Sequence, residues 1–311
     1  MIQEEQQQAQ KGVIFALAAY LLWGIAPIYF KQLTLVSPFE ILSHRVVWSF
    51  VLLSLLIHIS RQWGLIRQLF RSGKTIALLC ITSLLVGSNW LIFIWAISNN
   101  HMLDASLGYF INPIINVILG LVFLQERLRK MQWLAVTLAM AGVAVQLFVF
   151  GSIPFVAIAL ALSFGFYGLL RKKIAVDAVT GLFIETLVLF PVAAIYLTGF
   201  ANSPTSNLAN NSLWLDFLLF SAGIVTTIPL LCFAGAAKRL RLSTLGFFQY
   251  IGPSIMFLLA VIVYGETFST DKAITFTFIW GALIIFSLDG LKNRRSKTLI
   301  NALKNRPDTT A

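Results

Sequence analysis

Long apolar segments separated by short polar ones run along almost the whole chain. Ten of these segments hold about 20 residues each, the length that an α-helix needs to cross a hydrocarbon core of about 30 Å. The polar segments between them are too short to form a separate soluble domain. We therefore predict an all-α membrane protein with ten transmembrane helices near 12–33, 38–60, 75–98, 105–125, 131–150, 152–170, 177–200, 213–237, 243–265 and 273–291.

The composition indicates that lipid is the solvent of most of the surface. Hydrophobic residues make up 58% of the 311 residues and charged residues 11%, whereas a soluble domain carries about 25% charged residues. The complete phosphate-binding motif of ATP-hydrolysing proteins, which ends in Gly-Lys-Ser or Gly-Lys-Thr, does not occur. An ATP-driven pump in a single chain is therefore excluded.

The positive charge is confined to the tails and to alternate loops. All Lys and Arg residues except Lys31, Arg45 and Lys272 lie there, and basic loops stay on the cytoplasmic side of a membrane. This distribution predicts an even number of spans with both termini in the cytoplasm. Because the basic residues form short clusters and not one continuous face, the net charge of +11 does not indicate a nucleic-acid partner.

The fourth and ninth predicted spans carry the same pattern. At an offset of 140 residues, Pro113 and Glu126 correspond to Pro253 and Glu266. A repeat unit of five spans crosses the membrane an odd number of times. The second copy therefore begins on the opposite side and is inverted in the membrane. The loops agree, because basic residues follow Glu126, whereas the loop after Glu266 has Lys272 alone. Inverted repeats are an architecture of secondary transporters, in which the solute site lies near the midplane between the halves.

The domain organisation follows from the spans and the repeat. We predict two inverted five-helix repeats between two polar tails. The parts are a polar cytoplasmic N-terminus over 1–11, a first repeat over 12–150, a second and inverted repeat over 151–291, and a basic cytoplasmic tail over 292–311.

Several motifs resemble those of a known family. The segments PFEILSHRVVWS, NWLIFIWA, SLGYFINP, GFYGLLRKK and AAKRLRLSTLGFFQYIGP are similar, in order and spacing, to the RarD branch of the EamA-like permeases in the drug/metabolite transporter superfamily. The resemblance extends from Lys11 to about Arg295. It implies ten helices from a duplicated five-helix unit, and permease activity in the bacterial inner membrane. It implies no roles for individual residues.

The second span concentrates ionisable residues, which are costly inside a membrane at about 2.5–3.5 kcal/mol each. Glu40, His44, Arg45 and Trp48 fall on one side of this helix. Glu40 and His44 are four residues apart, which is near enough for a hydrogen-bonded pair that could carry a proton. In the alternative interpretation, Arg45 extends to the membrane surface and lines no cavity.

Amide and aromatic side chains recur inside other spans. Tyr109, Asn112 and Asn116 share a face of the fourth span, and this face must point inward, for solute contact or for bonds between helices. Glu185 in the seventh span is a proton-coupling candidate with Glu40 and His44, or the partner of a base such as Arg171. Pro113 and Pro253 are predicted to bend helices that line the cavity. The candidate cavity residues are Glu40, His44, Arg45, Trp48, Asn89, Trp90, Tyr109, Asn112, Asn116, Glu185, Gln249 and Tyr250.

These features favour a secondary transporter for a small amphiphilic or drug-like solute, which works by alternating access through a central cavity between the repeats. Export is favoured over import, and proton coupling and a homodimer stay open. A lipid-head-group flippase on the same fold is the alternative. We expect no enzymatic activity, cofactor or metal site, because the 12 acidic residues are scattered over both membrane faces. The expected partners are the lipid bilayer and the solute.

Overall fold

The computed structural model describes residues 2–98, 102–151, 153–265 and 270–304. Glu266, the second glutamate of the predicted repeat, lies outside these residues, as does the end of the basic tail. The described chain is helical almost throughout. Its α-helices are α1 (Ile2–Phe30), α2 (Pro38–Ile59), α3 (Trp63–Phe70), α4 (Gly73–Ser98), α5 (Met102–Leu124), α6 (Lys130–Phe150), α7 (Phe155–Lys173), α8 (Ala178–Ile195), α9 (Leu213–Arg239), α10 (Leu242–Gln249), α11 (Ile251–Leu258) and α12 (Thr270–Lys304).

Ten segments among the described residues are long and apolar enough to cross a membrane, which confirms the predicted fold class. Their ends lie within three residues of the predicted ones, except that the first span begins six residues earlier. Helices α10 and α11 together form the ninth span, and a π-helical turn at Leu259–Val263 ends it. The short helix α3 is an addition to the predicted elements. Large apolar side chains such as Leu55 and Val122 are more than half exposed, as a lipid-facing surface requires.

Local signals in the sequence set several helix ends. Asp177 precedes α8 and accepts a hydrogen bond from the backbone N–H of Thr180 at 2.9 Å, and Ser212 caps α9 in the same way. These side chains satisfy N–H groups that have no partner inside the helix. Helix α6 ends at Phe150, and the φ of 72° at the following Gly151 lies in the left-handed region that favours glycine.

The contacts divide the chain into two units, Met1–Glu126 with Ile153–Thr267, and Arg127–Ser152 with Phe268–Ala311. In the smaller unit α6 packs along α12. Gln146 donates a hydrogen bond to the Thr275 hydroxyl at 2.7 Å, and Arg129 forms a salt bridge with Asp289. The smaller unit therefore joins the last spans of the two predicted halves.

The larger unit holds the other eight spans, and its principal helix pairs follow the repeat. Helix α5 packs against α7 as α11 packs against α1, α1 packs against α9 as α7 packs against α4, and α2 packs against α9 as α8 packs against α4. The pairs α2–α8 and α5–α10 each join two equivalent helices. Exchanging every span for the one five later leaves this set of pairs unchanged, which is consistent with two inverted repeats.

One close contact shows the repeat at the residue level. Ile115 and Ile255, which correspond at the offset of 140, each lie against a glycine of the other half. A Cβ atom on Gly165 of α7 would lie 2.7 Å from Ile115, and one on Gly24 of α1 would lie 2.8 Å from Ile255. These distances are shorter than two carbon atoms tolerate, so both helix pairs depend on the absence of a side chain.

Candidate functional site

A cavity of about 250 Å³ lies within the larger unit. We call the membrane side of the α1–α2 connection at 31–37 the far side, and the side of the α2–α4 connection at 60–72 the near side. Most lining residues lie in the helix halves next to the far side. The lining consists of Tyr20, Trp23, Ala26, Pro27, Phe30, Arg45, Asn89, Trp90, Phe93, Gly108, Tyr109, Asn112, Leu160, Phe164, Leu230, Gln249, Gly252, Pro253 and Met256.

Among the described residues that line this cavity, Arg45 alone is charged. Its Nε donates a hydrogen bond to the Thr226 hydroxyl at 2.8 Å. The guanidinium carbon lies 4.8 Å from the centre of the Trp90 ring and 5.5 Å from that of Phe30, distances at which an aromatic face attracts a cation. Arg45 therefore turns into the cavity and does not extend to the membrane surface.

Side-chain amides connect the cavity wall to α7. Asn89 donates to the Leu160 carbonyl at 2.9 Å, and Asn112 donates to the Ala161 carbonyl at 2.8 Å. Asn116 lies behind the wall and donates to the oxygens of Asn112 at 3.1 Å and Gln249 at 2.9 Å. These amides thus bond helices together while Asn89, Asn112 and Gln249 also line the cavity.

Glu40 and His44 do not form the hydrogen-bonded pair that their spacing favours. Glu40 is fully buried at the start of α2 and accepts hydrogen bonds from Ser203 and Thr205 of the α8–α9 connection. His44 accepts from the Trp48 indole N–H at 3.1 Å, one turn further along α2. Each side chain is hydrogen-bonded to a different partner, and neither residue is among those that line the cavity.

Glu185 also lies away from the cavity, in a buried network on the near side. Its carboxylate is 3.6 Å from the Arg171 guanidinium, and both side chains are 1% exposed. Thr82 and Tyr167 donate to its oxygens at 2.6 Å and 3.2 Å. The arrangement matches the alternative in which Glu185 pairs with a base at the end of the preceding span.

The remaining predicted residues fall into three groups. Trp90 and Tyr109 line the cavity, and Trp48 packs edge-on against Phe220 of α9. Tyr250 is buried and donates to the Phe110 carbonyl at 3.3 Å.

Of the predicted kinks, α5 runs unbroken through Pro113, whereas the ninth span is interrupted at Tyr250 just before Pro253. Pro253 lacks an N–H group, so it cannot continue the hydrogen-bond ladder of α10.

The aromatic wall residues that the sequence interpretation missed lie mostly on α1, with Phe93 on α4 and Phe164 on α7. Tyr20, Trp23, Pro27 and Phe30 line the cavity, and so does Phe164. The residues of α1 follow a three-and-four spacing, which puts them on one helix face. That spacing was the available signal, although an aromatic stripe in an apolar helix usually indicates packing alone.

Aromatic rings separate the cavity from the near side. The ring of Phe233 lies 5.0 Å from that of Phe164, 5.9 Å from that of Tyr167 and 6.4 Å from that of Tyr20. We call these four residues the aromatic cluster. Closer to the near side, the Glu126 carboxylate accepts from the backbone N–H groups of Leu242 and Ser243 at 2.6 and 3.0 Å. It thereby caps α10 and ties the end of α5 to it.

Ten apolar spans, with a partly polar internal cavity inside the larger unit, define a multi-pass membrane protein of the transporter class. The chain belongs to the EamA-like transporter family, whose family model matches residues 10–148, and within it to the RarD branch. It is 60% identical to the protein RarD of Salmonella typhimurium over 94% of this chain and 100% of that protein. The chain is therefore a membrane transporter of this family.

Other similarities agree with this assignment. An uncharacterized transporter of Vibrio cholerae serotype O1 is 67% identical over 93% of this chain and 95% of its own. The chloramphenicol-sensitive protein RarD of Pseudomonas aeruginosa is 31% identical over 92% of this chain and 97% of its own. A solved crystal structure shares the fold with a TM-score of 0.69 at 18% identity, over 89% of this chain and 97% of that one.

Proposed function

We propose that the chain is a secondary transporter of the bacterial inner membrane that carries a small amphiphilic solute, with export favoured over import. The cavity supports this proposal, because equivalent helices of both predicted halves contribute to its wall. We further propose that both termini are cytoplasmic, following the basic residues of the near-side loops. The cavity then faces the outside, and the aromatic cluster closes it toward the cytoplasm.

A break in the symmetry of the larger unit supports alternating access. Helix α7 packs against α9 on the near side, where Phe164 and Tyr167 meet Phe233. The equivalent helices in the other half are α1 and α4. In the described structure α1 and α4 do not pack against each other as α7 packs against α9. Both α1 and α4 line the cavity. In an inverted repeat, a contact made in one half and absent from the other corresponds to a gate closed on one side and open on the opposite side.

The second state follows from the same symmetry. We propose that α1 closes onto α4 while α7 separates from α9, which moves the cavity to the near side. The aromatic cluster must then part, and the hydrogen bonds that Lys172 of α7 donates to the carbonyls of Ala237 and Leu240 at the end of α9 must break. Binding of solute must favour neither state strongly, since a ligand shifts an equilibrium only by its difference in affinity.

A substitution that fills the cavity tests the proposal. Gly252 lines the cavity, and the nearest atom to a Cβ at this position would be the Tyr20 carbonyl oxygen at 3.8 Å, so an indole can be accommodated only by occupying the open volume. We expect Gly252→Trp to abolish solute counterflow in proteoliposomes while the melting temperature is retained. Gly281→Trp is the matched control, because a Cβ at Gly281 meets no atom within 4 Å.

Each outcome of this experiment decides between functions. Unchanged flux in Gly252→Trp would show that solute does not pass through this cavity. Absence of counterflow for every amphiphilic solute, with a folded wild-type protein, would refute the transporter proposal. Scrambling of fluorescent phospholipids without flux of free solutes would favour the lipid-head-group flippase.

Labelling of single cysteines at Ser206 and Ser72 with a membrane-impermeant maleimide, on intact and opened cells, tests the orientation.

A further inference from the structure

We propose that the solute carries an anionic oxygen group, a carboxylate or a phosphate, and that Arg45 is the residue that binds it. The inference rests on the proposed function, since it takes the cavity as the solute site. It names a substrate class that neither the family nor the relatives assign. Four observations support it: the missing counter-charge of Arg45, its accessible N–H groups, the neutral remainder of the cavity, and the contrast with Arg171.

The guanidinium of Arg45 has no counter-charge in the described part of the chain. Its contacts are the Thr226 hydroxyl and the ring faces of Trp90 and Phe30. Glu40 begins the same helix, yet its carboxylate is bonded to Ser203 and Thr205 on the far side. A cation inside a span is costly unless it is paired, so this site has an unmet preference for a negative charge.

The donors of Arg45 are also available. A guanidinium presents five N–H groups in a planar fork that matches the oxygens of a carboxylate or phosphate. Only the Nε–H of Arg45 has a protein acceptor in the described structure, and the terminal nitrogens are not sealed from the cavity. Arg171 is the opposite case, because its guanidinium is 1% exposed and paired with Glu185.

The rest of the described wall carries no negative charge that would oppose an anion. The described residues that line the cavity include no Asp or Glu, so the site carries the single positive charge of Arg45. The amide nitrogen of Gln249 has no protein acceptor in the same structure and offers a further donor. Trp23, Phe93 and Phe164 supply apolar surface, which fits the apolar body of an amphiphilic anion.

Compounds that share one apolar body and differ in charge test the inference. The probes are indole-3-acetate, indole-3-acetamide and tryptamine, with phenyl phosphate as a second anion and phosphatidylglycerol in detergent as an anionic lipid. We would measure affinity for the purified protein from the rise of its melting temperature with ligand concentration. The variants are Arg45→Gln and Arg45→Lys, with Lys31→Gln as the control, because Lys31 lies over the Tyr264 ring and not in the cavity.

We expect indole-3-acetate or phenyl phosphate to bind the wild type and Lys31→Gln, and the neutral and cationic analogues to bind far more weakly. Arg45→Gln should weaken anion binding by about tenfold to a hundredfold, the value of hydrogen bonds to a charged group, and Arg45→Lys should retain part of it. An Arg45-dependent effect of the lipid alone would support the inference with a lipid phosphate as the anion. If Arg45→Gln does not fold, the three indole compounds on the wild type decide.

Three results would overturn the inference: no effect of any anion on the wild type, equal binding of the acetamide or the amine, or unweakened anion binding to folded Arg45→Gln. The proposed function has a separate criterion. Flux of a neutral or cationic solute that Gly252→Trp blocks would leave the transporter intact while the anion assignment fails. Absence of flux for every solute would remove both.

Discussion

Arg45 and Arg171 both place a guanidinium inside a membrane span, and their neighbours give them different roles. Arg171 and Glu185 form a pair at 3.6 Å with both side chains 1% exposed. Gly181 leaves room for this pair, since a Cβ there would collide with the Arg171 guanidinium. In this pair the two opposite charges compensate each other and connect α7 to α8. In the described structure the charge of Arg45 is not compensated in this way and lies at the cavity wall.

The Arg171–Glu185 pair leads to a stability prediction. Arg171→Leu and Glu185→Leu should each lower the stability by about 3–5 kcal/mol, because each leaves one buried charge without a partner. The double variant should lie closer to the wild type than either single variant, because it leaves no unpaired charge. Melting temperatures in detergent measure this, with the exposed Lys173→Leu as the control. Additive losses in the double variant would show that the pair is not coupled.

Glu40 leads to a prediction about coupling. Under the hypothesis that Glu40 carries the coupled proton, Glu40→Gln should abolish flux driven by a pH gradient and leave solute counterflow in place, because glutamine preserves the shape of the side chain but cannot take up a proton. Proteoliposomes with and without a pH gradient measure both quantities. Glu185→Gln is the parallel variant for the second candidate. Full pH-driven flux in Glu40→Gln would remove Glu40 from the coupling mechanism.

At the scale of elements, the sequence predicted the ten spans well because each must present an unbroken apolar length to lipid. It did not predict helix α3, whose eight residues are too few to show a clear period. It also predicted bends at Pro113 and Pro253; the ninth span is interrupted at Tyr250, shortly before Pro253, whereas α5 continues through Pro113. Proline removes the same hydrogen bond in both spans, and the neighbouring helices decide whether the helix breaks there.

The glycine contact between α7 and α5 gives a prediction for a helix pair. Gly165→Ala should destabilise the protein, because the new Cβ would lie 2.7 Å from the Cγ2 of Ile115, although alanine by itself favours a helix by about 1 kcal/mol. Gly165→Ala should cost less stability in an Ile115→Ala background than in the wild type, since that carbon is then absent. Gly281→Ala, which meets no atom within 4 Å, is the control and should not lose stability. If the stability loss caused by Gly165→Ala is the same with Ile115→Ala present, the contact with Ile115 is not its cause.

At the scale of the whole molecule, the proposed alternation predicts two distances that change in opposite directions. Spin labels at Ile28 and Leu91 report on α1 and α4, and labels at Lys173 and Arg239 report on α7 and α9. Any condition that shortens the first distance should lengthen the second, because the two helix pairs are related by the repeat. Pulsed electron resonance in lipid nanodiscs, with Cys80 and Cys232 replaced by serine, measures both. Distances that change together, or never change, would argue against alternating access.

The sequence by itself determined the solvent, the number of spans and the repeat. These properties follow from one-dimensional quantities: apolar length, the placement of Lys and Arg, and the matched positions of Pro113 and Pro253. It also identified Arg45, Asn89, Trp90, Tyr109, Asn112 and Gln249, which line the cavity, because polar groups inside a span must turn inward.

Only the tertiary structure decided which polar residues share the cavity and which bond elsewhere. Glu40 and Arg45 fall on one side of α2, yet the carboxylate meets the hydroxyls of Ser203 and Thr205 while the guanidinium meets Trp90. Helix spacing fixes the direction in which a side chain leaves its helix, but not which other helix stands there. That partner depends on the packing of spans far apart in the chain, and it leaves Arg45 as the cation of the cavity wall.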